Sequence, residues 1–441
     1  SYTRWTPNVL KKAIYSIIAT LLWAATAHAD ITVEITEGGV ARTPVAVVPF
    51  GWEGQSAEMP LDIAEVIAAD LQRSGRFAPL AEEDMLQKPT TGADVDFDDW
   101  SFVKAEAVVV GKVEQTGENA YTVSFQLFDV FRRQQLVGYR IPASRGTMRR
   151  VAHRAADMNY EKLTGIKGVF ATKVAFVTAE GQGANQVYKL VVADQDGHNE
   201  TVVMQSRDPI MSPAWSPDSR RVAYVSFEND RSSIWVQTLR TGNRIQVSSK
   251  PGINGAPAFS PDGRKLVLTL GGLDGNLDIH VLDLSTKETQ RLTTHRAIDT
   301  EGSWSPDGRY IYFTSDRSGG PQIYRVPAAG GSPERVTFEG SYNARPRLSP
   351  DGERLAMVHL DRGNYRIAVM DVDRKEMLVV SAGRQDESPS FAPNSDTLIY
   401  ATRQARNGVL ETVTADGLIR QRVSSGNADV REPVWSPFPR Y

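Results

Sequence analysis

Trp304-Ser305-Pro306-Asp307-Gly308-Arg309-Tyr310-Ile311-Tyr312-Phe313-Thr314 reads as the end of one strand, a tight turn and the start of a second strand. Near copies of its core stand at Trp215-Ser-Pro-Asp-Ser, Phe259-Ser-Pro-Asp-Gly, Leu348-Ser-Pro-Asp-Gly and Phe391-Ala-Pro-Asn-Ser, and a truncated one at Trp435-Ser-Pro-Phe. Their steps are 44, 45, 44, 43 and 44 residues. A fixed period of roughly 40–45 residues is that of a four-stranded propeller blade. Proline presets φ in the turn, Asp or Asn caps it, and Gly tolerates conformations closed to other residues.

An alternating β-rich run follows each turn: Arg221-Val-Ala-Tyr-Val, Lys265-Leu-Val-Leu-Thr, Tyr310-Ile-Tyr-Phe-Thr, Arg354-Leu-Ala-Met-Val and Thr397-Leu-Ile-Tyr-Ala. A third strand comes next, as in Ser233-Ile-Trp-Val-Gln, and a fourth, as in Arg244-Ile-Gln-Val, ends the unit. Two fragments are left over. Lys173-Val-Ala-Phe-Val is a second strand with no first strand before it, and Pro433-Val-Trp-Ser is a first strand with no second strand after it. Joined, they complete a sixth blade and close the ring, which removes the sheet edges an open array would expose.

Ahead of the repeats the pattern is α/β. Val45-Ala-Val-Val-Pro-Phe reads as a buried strand, and residues 62–74 as a helix with Ile63, Val66, Ile67 and Leu71 on one stripe, ended by Gly75. Runs from Ala107, Tyr121 and Gln135 supply three more strands. Thr147 is expected to cap a helix carrying Val151, Ala155 and Met158, which Gly165 stops. The expected fold class is therefore an α/β N-terminal domain followed by an all-β six-bladed β-propeller closed by a C-terminal strand. The expected boundaries are 40–164 for the α/β domain, 165–168 for the joint and 169–441 for the propeller.

Residues 1–29 read as an export signal. Arg4, Lys11 and Lys12 flank the apolar stretch Ala13 to Ala25, and Ala27-His28-Ala29 offers a small-x-small cleavage pattern, so cleavage is expected between Ala29 and Asp30. The apolar stretch is shorter than the roughly 20 residues a membrane helix needs, so no direct span is expected. Cysteine is absent, which rules out disulfides, thiolate metal sites and lipid attachment at a cysteine. The net charge of −3 has both signs interspersed, with no basic stripe of the kind nucleic acid attracts.

Catalytic signals are thin. No Gly-x-Ser-x-Gly elbow, His-Glu-x-x-His or phosphate loop is present. His153, His198, His280, His295 and His359 are scattered without metal-ligand spacing, so no catalytic residue, metal or cofactor is expected. The repeated Asp218, Asp262, Asp307 and Asp351 are explained by their turns. Asp194 to Glu200 faintly resembles a calcium loop, but a hairpin turn is the better reading. Trp215, Trp304 and Trp435 are expected to pack between blades. The residues ahead of each first strand would ring the mouth of the central channel, and their chemistry alone does not separate a binding rim from solvated loops.

The chain resembles the TolB family, the periplasmic component of the Tol–Pal cell-envelope system of Gram-negative bacteria. The resemblance rests on Val47-Val-Pro-Phe-Gly-Trp, Ile67-Ala-Ala-Asp-Leu, Ala107-Val-Val-Val-Gly, Glu161-Lys-Leu-Thr-Gly-Ile-Lys-Gly, Met211-Ser-Pro-Ala-Trp-Ser-Pro-Asp and Asn254-Gly-Ala-Pro-Ala-Phe-Ser-Pro-Asp-Gly. It implies a non-enzymatic periplasmic hub, monomeric outside its complexes, that supports outer-membrane integrity and constriction at division. It implies binding of Pal, the peptidoglycan-associated lipoprotein, on the rim carrying Asn254, Gly255, Ala256, Thr300 and Glu301. Met211, Ser212, Ala344, Arg345, Glu387 and Glu432 complete that rim around the ring. Gly302 stands where many relatives have proline. The segment 30–39, with Asp30, Ile31, Val33, Ile35 and Glu37, is similar to the mobile stretch that engages the C-terminal domain of TolA, and its alternation suits strand addition. The rival readings are an accessory propeller of a periplasmic peptidase and a glycan-binding propeller.

Overall fold

The computed structural model describes residues 41–272, 275–423 and 428–439. The expected cleavage site at Ala29 and Asp30, and the segment with Ile31, Val33, Ile35 and Glu37, lie outside them.

The N-terminal part is a mixed sheet. Strand 43–47 runs parallel to strands 77–79 and 107–117, and the last of these continues antiparallel through 120–129 and 134–143. Helix α1 (Ile63–Arg73) and, beyond the short α2 (Phe97–Phe102), helix α3 (Met148–Thr164) bury one face of the sheet. Ile63, Val66, Ile67 and Leu71 of α1 point into that core, as the helical spacing requires. Burying each such side chain contributes roughly 1.5–3 kcal/mol. Helix α1 starts on Asp62, whose carboxylate accepts the Glu65 amide at 3.0 Å. One expectation is corrected at α3. Thr147 precedes the helix, but its hydroxyl accepts the Ser144 amide at 2.9 Å in a preceding 3₁₀ turn and caps nothing in α3. Gly165, left-handed at φ 76°, ends the helix as expected.

The remainder is a six-bladed propeller. Five blades are built in chain order, with inner strands 210–215 (blade II), 254–259 (III), 299–304 (IV), 343–348 (V) and 386–391 (VI). Blade I is composite. Strand 429–435 pairs antiparallel with 173–180, Trp435 opposite Val174, and 187–194 and 201–206 complete it. The C-terminal strand therefore closes the ring. Each Ser-Pro-Asp turn is held the same way: in blade III the Ser260 hydroxyl reaches Asp262 at 2.6 Å and accepts the Lys265 amide at 2.9 Å, while Asp262 accepts the Arg264 amide at 3.0 Å. The Ser260 hydroxyl, joined by that amide, lowers the Asp262 carboxyl below its ordinary value. Two tryptophans stitch neighbouring blades together: Trp215 donates to the Val434 carbonyl at 3.0 Å and Trp304 to the Ala258 carbonyl at 3.1 Å. Trp435 turns its indole onto the Thr172 hydroxyl at 2.7 Å within blade I and reaches blade VI through its backbone amide, which donates to Ser390 at 3.0 Å.

The α/β part packs on the turns at the far end of the inner strands. Arg76 binds Asp396 at 3.0 Å, and Asn394 donates to the Lys167 carbonyl at 3.0 Å. Asp157 of α3 ties down the joint by accepting the Phe170 amide at 2.7 Å and the Ala171 amide at 3.1 Å. A Cβ on Gly168 would lie 2.5 Å from the Asp157 Cα, so only glycine lets helix and joint approach this closely. Burial pushes the Asp157 carboxyl up to about 7, against the pull of those two amides.

Candidate functional site

The channel mouth is built by a device repeated in every blade. Each inner strand carries a β-bulge near its start, and the residue in the bulge is left-handed: Ser212, Ala256, Glu301, Arg345, Ser388 and Glu432, with φ between 45° and 60°. Such a backbone is uncommon for residues other than glycine, and six copies on one ring mark a constrained surface. All six line a cavity of about 240 Å³ along the propeller axis. Proline follows five of them (213, 257, 346, 389 and 433), and Gly302 takes its place in blade IV. That recurring proline two residues ahead of the aromatic or leucine is the sequence signal for the ring.

The bulge separates the rim residues into three kinds. The first position is structural. Asn254, Asp299, Asn343 and Asp386 are at most 1 % exposed. Asn254 accepts from the Ser248 hydroxyl at 2.6 Å and the Lys250 amide at 3.0 Å and donates to the Lys250 carbonyl at 2.7 Å, so its side chain is consumed by the fold. The second position varies: Met211, Gly255 and Thr300 are half-buried, Ala344 is buried and Glu387 is exposed. Only the third position presents side chains to the channel. Its groups bind one another across blades. Glu301 accepts the Arg345 Nε at 2.9 Å, Arg345 also reaches Ser388, and Glu432 accepts the Ser212 amide. Burial raises the Glu432 carboxyl, and the nearby Arg345 opposes that rise.

Around the mouth stand apolar side chains on the connecting loops. Ile253 and Ile298, each 49 % exposed, precede the inner strands of blades III and IV, and Phe338 is 73 % exposed beside Arg335. Tyr342 and Tyr365 meet edge to face with centroids 5.1 Å apart. A charged ring inside an apolar rim is suited to recognising another protein by charge and shape.

A second cluster lies where the α/β part meets blade I. His153 of α3 contacts Asp70 of α1 through Nδ1 at 2.6 Å and Asp196 of the blade I hairpin through Nε2 at 3.4 Å. Arg149 pairs with Asp196, and Arg73 reaches Asp70 and lies 3.7 Å from Asp196. Burial alone would lower the His153 imidazole, but Asp70 and Asp196 overcome it and raise it to about 9. Asp196 is depressed: burial works against this, and His153 and Arg149 prevail. One imidazole and two carboxylates meet the donor types of a metal site. The two guanidiniums already neutralise those carboxylates, so the arrangement is an ion-pair lock. Sequence spacing hid it, because its members come from positions 70, 153 and 196. The Asp194–Glu200 segment itself is a hairpin turn, Asp194 N donating to the His198 carbonyl at 2.8 Å, with Gly197 at φ 84°.

Residues 160–439 match the model of the TolB beta propeller domain, and residues 31–136 match that of the TolB amino-terminal domain. The chain belongs to the TolB family. Its relatives include the Tol-Pal system protein TolB of Xanthomonas oryzae pv. oryzae (strain PXO99A), 45 % identical over 428 residues that cover 97 % of each chain. Another is the protein of the same name from Xanthomonas campestris pv. campestris (strain B100), 47 % identical over 92 % of this chain and 93 % of that one. Among solved structures, TolB from Acinetobacter baumannii superposes with a TM-score of 0.84 at 38 % identity, covering 92 % of this chain and all of that one. The TolB fold therefore spans both the sheet domain and the propeller.

Proposed function

We propose that this chain is a non-enzymatic hub of the Tol–Pal cell-envelope system in the periplasm, docking Pal on the channel mouth and TolA through the segment 30–39. The observation that carries the reading is the ring of six left-handed residues inside a rim of exposed Ile253, Ile298 and Phe338. Contacts are expected from Gly255, Ala256, Thr300 and Glu301 and from Met211, Ser212, Arg345, Glu387 and Glu432, whereas Asn254 and Ala344 act by shaping the backbone. The system assignment leans on relatives named Tol-Pal system protein TolB. Support of outer-membrane integrity and constriction at division follows from the same reading.

Calorimetric titration with soluble Pal tests it. The wild type is expected to bind, and an Ala256→Arg, Thr300→Arg variant with unchanged thermal unfolding is expected not to. A folded wild type that ignores Pal would overturn the proposal.

A further inference from the structure

The channel has a second layer, one step deeper than the bulge ring. Its positions are Ala214, Ala258, Ser303, Arg347, Ser390 and Val434, so a single guanidinium stands in an otherwise neutral ring. Arg345 in the layer above is committed, paired with Glu301 and bonded to Ser388. Arg347 is not. Its Nη1 donates to the Pro346 carbonyl at 2.8 Å, and among the described residues no carboxylate lies within ion-pair distance of it. Four of its five N–H groups therefore lack a protein acceptor.

Other charges face it without contact. Burial draws the Arg347 guanidinium below its ordinary value, Glu301 and Glu432 oppose that and Arg345 adds to it. Arginine keeps its proton under such conditions, so the group is a permanent cation presenting a planar fork to an accessible cavity. That cavity, about 240 Å³, is several times the roughly 30 Å³ a water molecule takes. Carboxylate is the ligand that matches a guanidinium fork with two parallel bonds.

We propose that the channel takes the carboxylate of an aspartate or glutamate side chain, delivered by the protein docked on the mouth, and that Arg347 is the residue that receives it. The source is a protein side chain because the channel opens within the apolar rim of Ile253, Ile298 and Phe338, which a small free anion would leave uncovered. This rests on reading the mouth as the docking face. Arg345, the other guanidinium on the channel, is already held by Glu301 and Ser388, which leaves Arg347 as the cation free to anchor an incoming acid. A charge pair buried at the centre of an interface is where truncation costs most.

Two titrations of the full-length chain test the proposal. In the first, the Nε–Hε resonance of Arg347, assigned with Arg347→Lys, is followed during addition of N-acetylglutamate amide and then of its glutamine analogue. In the second, soluble Pal is titrated into wild type, Arg347→Lys and Arg347→Ala by calorimetry, with thermal unfolding as the check on folding. The expected result is a saturable shift with the glutamate compound only, and Pal affinity at least tenfold weaker in Arg347→Ala, less so in Arg347→Lys. A tenfold loss of Pal affinity alone still supports the proposal, the rim being needed to deliver the acid. Pal bound equally by wild type and Arg347→Ala overturns it. If Pal fails to bind wild type while the glutamate compound is captured, the docking reading falls and the carboxylate site stands. If neither binds, both fall.

Discussion

Glu301 and Arg345 occupy the same position in neighbouring blades, and in the channel they bind each other. The Glu301 carboxylate takes the Arg345 Nε at 2.9 Å and its backbone amide at 3.1 Å. It also accepts the Thr314 hydroxyl at 2.8 Å, so one side chain fastens blade IV to blade V. Arg345 then passes the connection to Ser388 in blade VI. A left-handed backbone, which turns each of these side chains toward the axis, is what lets a one-residue difference per blade become a ring of contacts.

Removing Glu301 leaves Arg345 with its charge and only one polar partner. Glu301→Ala is expected to destabilise the chain by about 1–3 kcal/mol, the cost of an unpaired and partly buried donor. At roughly 2–4 °C per kcal/mol for a unit of this size, the melting temperature falls by several degrees. Calorimetric unfolding measures it, and an unchanged midpoint would show the pair to be idle.

The turn serines make a smaller and repeatable prediction. Ser305 accepts the Tyr310 amide at 2.9 Å while its hydroxyl reaches Asp307. Ser305→Ala is expected to cost about 1 kcal/mol. Ser216 and Ser260 make the equivalent bonds in their own blades, so the triple alanine variant should lose the sum within about 0.5 kcal/mol. Chemical denaturation of the wild type, the three single variants and the triple variant reads this directly. A triple variant no worse than the single one would mean the turns are held by Pro and Gly alone.

Much of this fold was legible because period and turn chemistry are local. The spacing of Trp215, Phe259 and Trp304 decides the blade, and the unpaired strands at Lys173 and Pro433 require closure. The rim was legible only as a set of positions. Asn254 and Ala256 are two residues apart, yet one is spent inside the blade and the other lines the channel. That difference comes from the bulge, a backbone event signalled only by the proline after Ala256. The lock of Asp70, His153 and Asp196 left no trace in sequence, because three separate elements bring it together and each residue alone reads as an ordinary solvated polar side chain. Asp157 is the same case: an ordinary helical acid until the joint folds over it.

The lock gives a pH dependence with a defined sign. His153 rises from an ordinary value near 6.5 to about 9, so the folded state binds its proton more tightly than the unfolded state does. The stability it supplies is complete below about pH 6.5 and is lost as pH climbs through 9, a total of about 3 kcal/mol for the shift. Asp157, raised to about 7, makes its own loss as pH rises from about 4 to 7, which leaves the window from 7 to 9 to the histidine. The melting temperature is expected to decline across that window in wild type and to stay flat in His153→Asn. Parallel curves for the two proteins would remove the imidazole from the account.

Closure by the last strand carries the largest expected effect. Strand 429–435 supplies the inner edge of blade I, and Trp435 inserts its indole onto Thr172 while its backbone amide donates to Ser390 at 3.0 Å. Deleting residues 430–441 leaves strand 173–180 with an unpaired edge facing an empty slot between blades VI and II. An exposed edge of that length pairs with other chains. Trp435→Ala isolates the packing share, expected at about 3–5 kcal/mol for a buried aromatic. Size-exclusion chromatography and thermal unfolding distinguish the two variants. The point mutant should remain a monomer with a lowered midpoint, and the deletion should aggregate. A deletion protein that runs as a soluble monomer and unfolds like wild type would mean that five blades and a three-stranded remnant hold the ring without it.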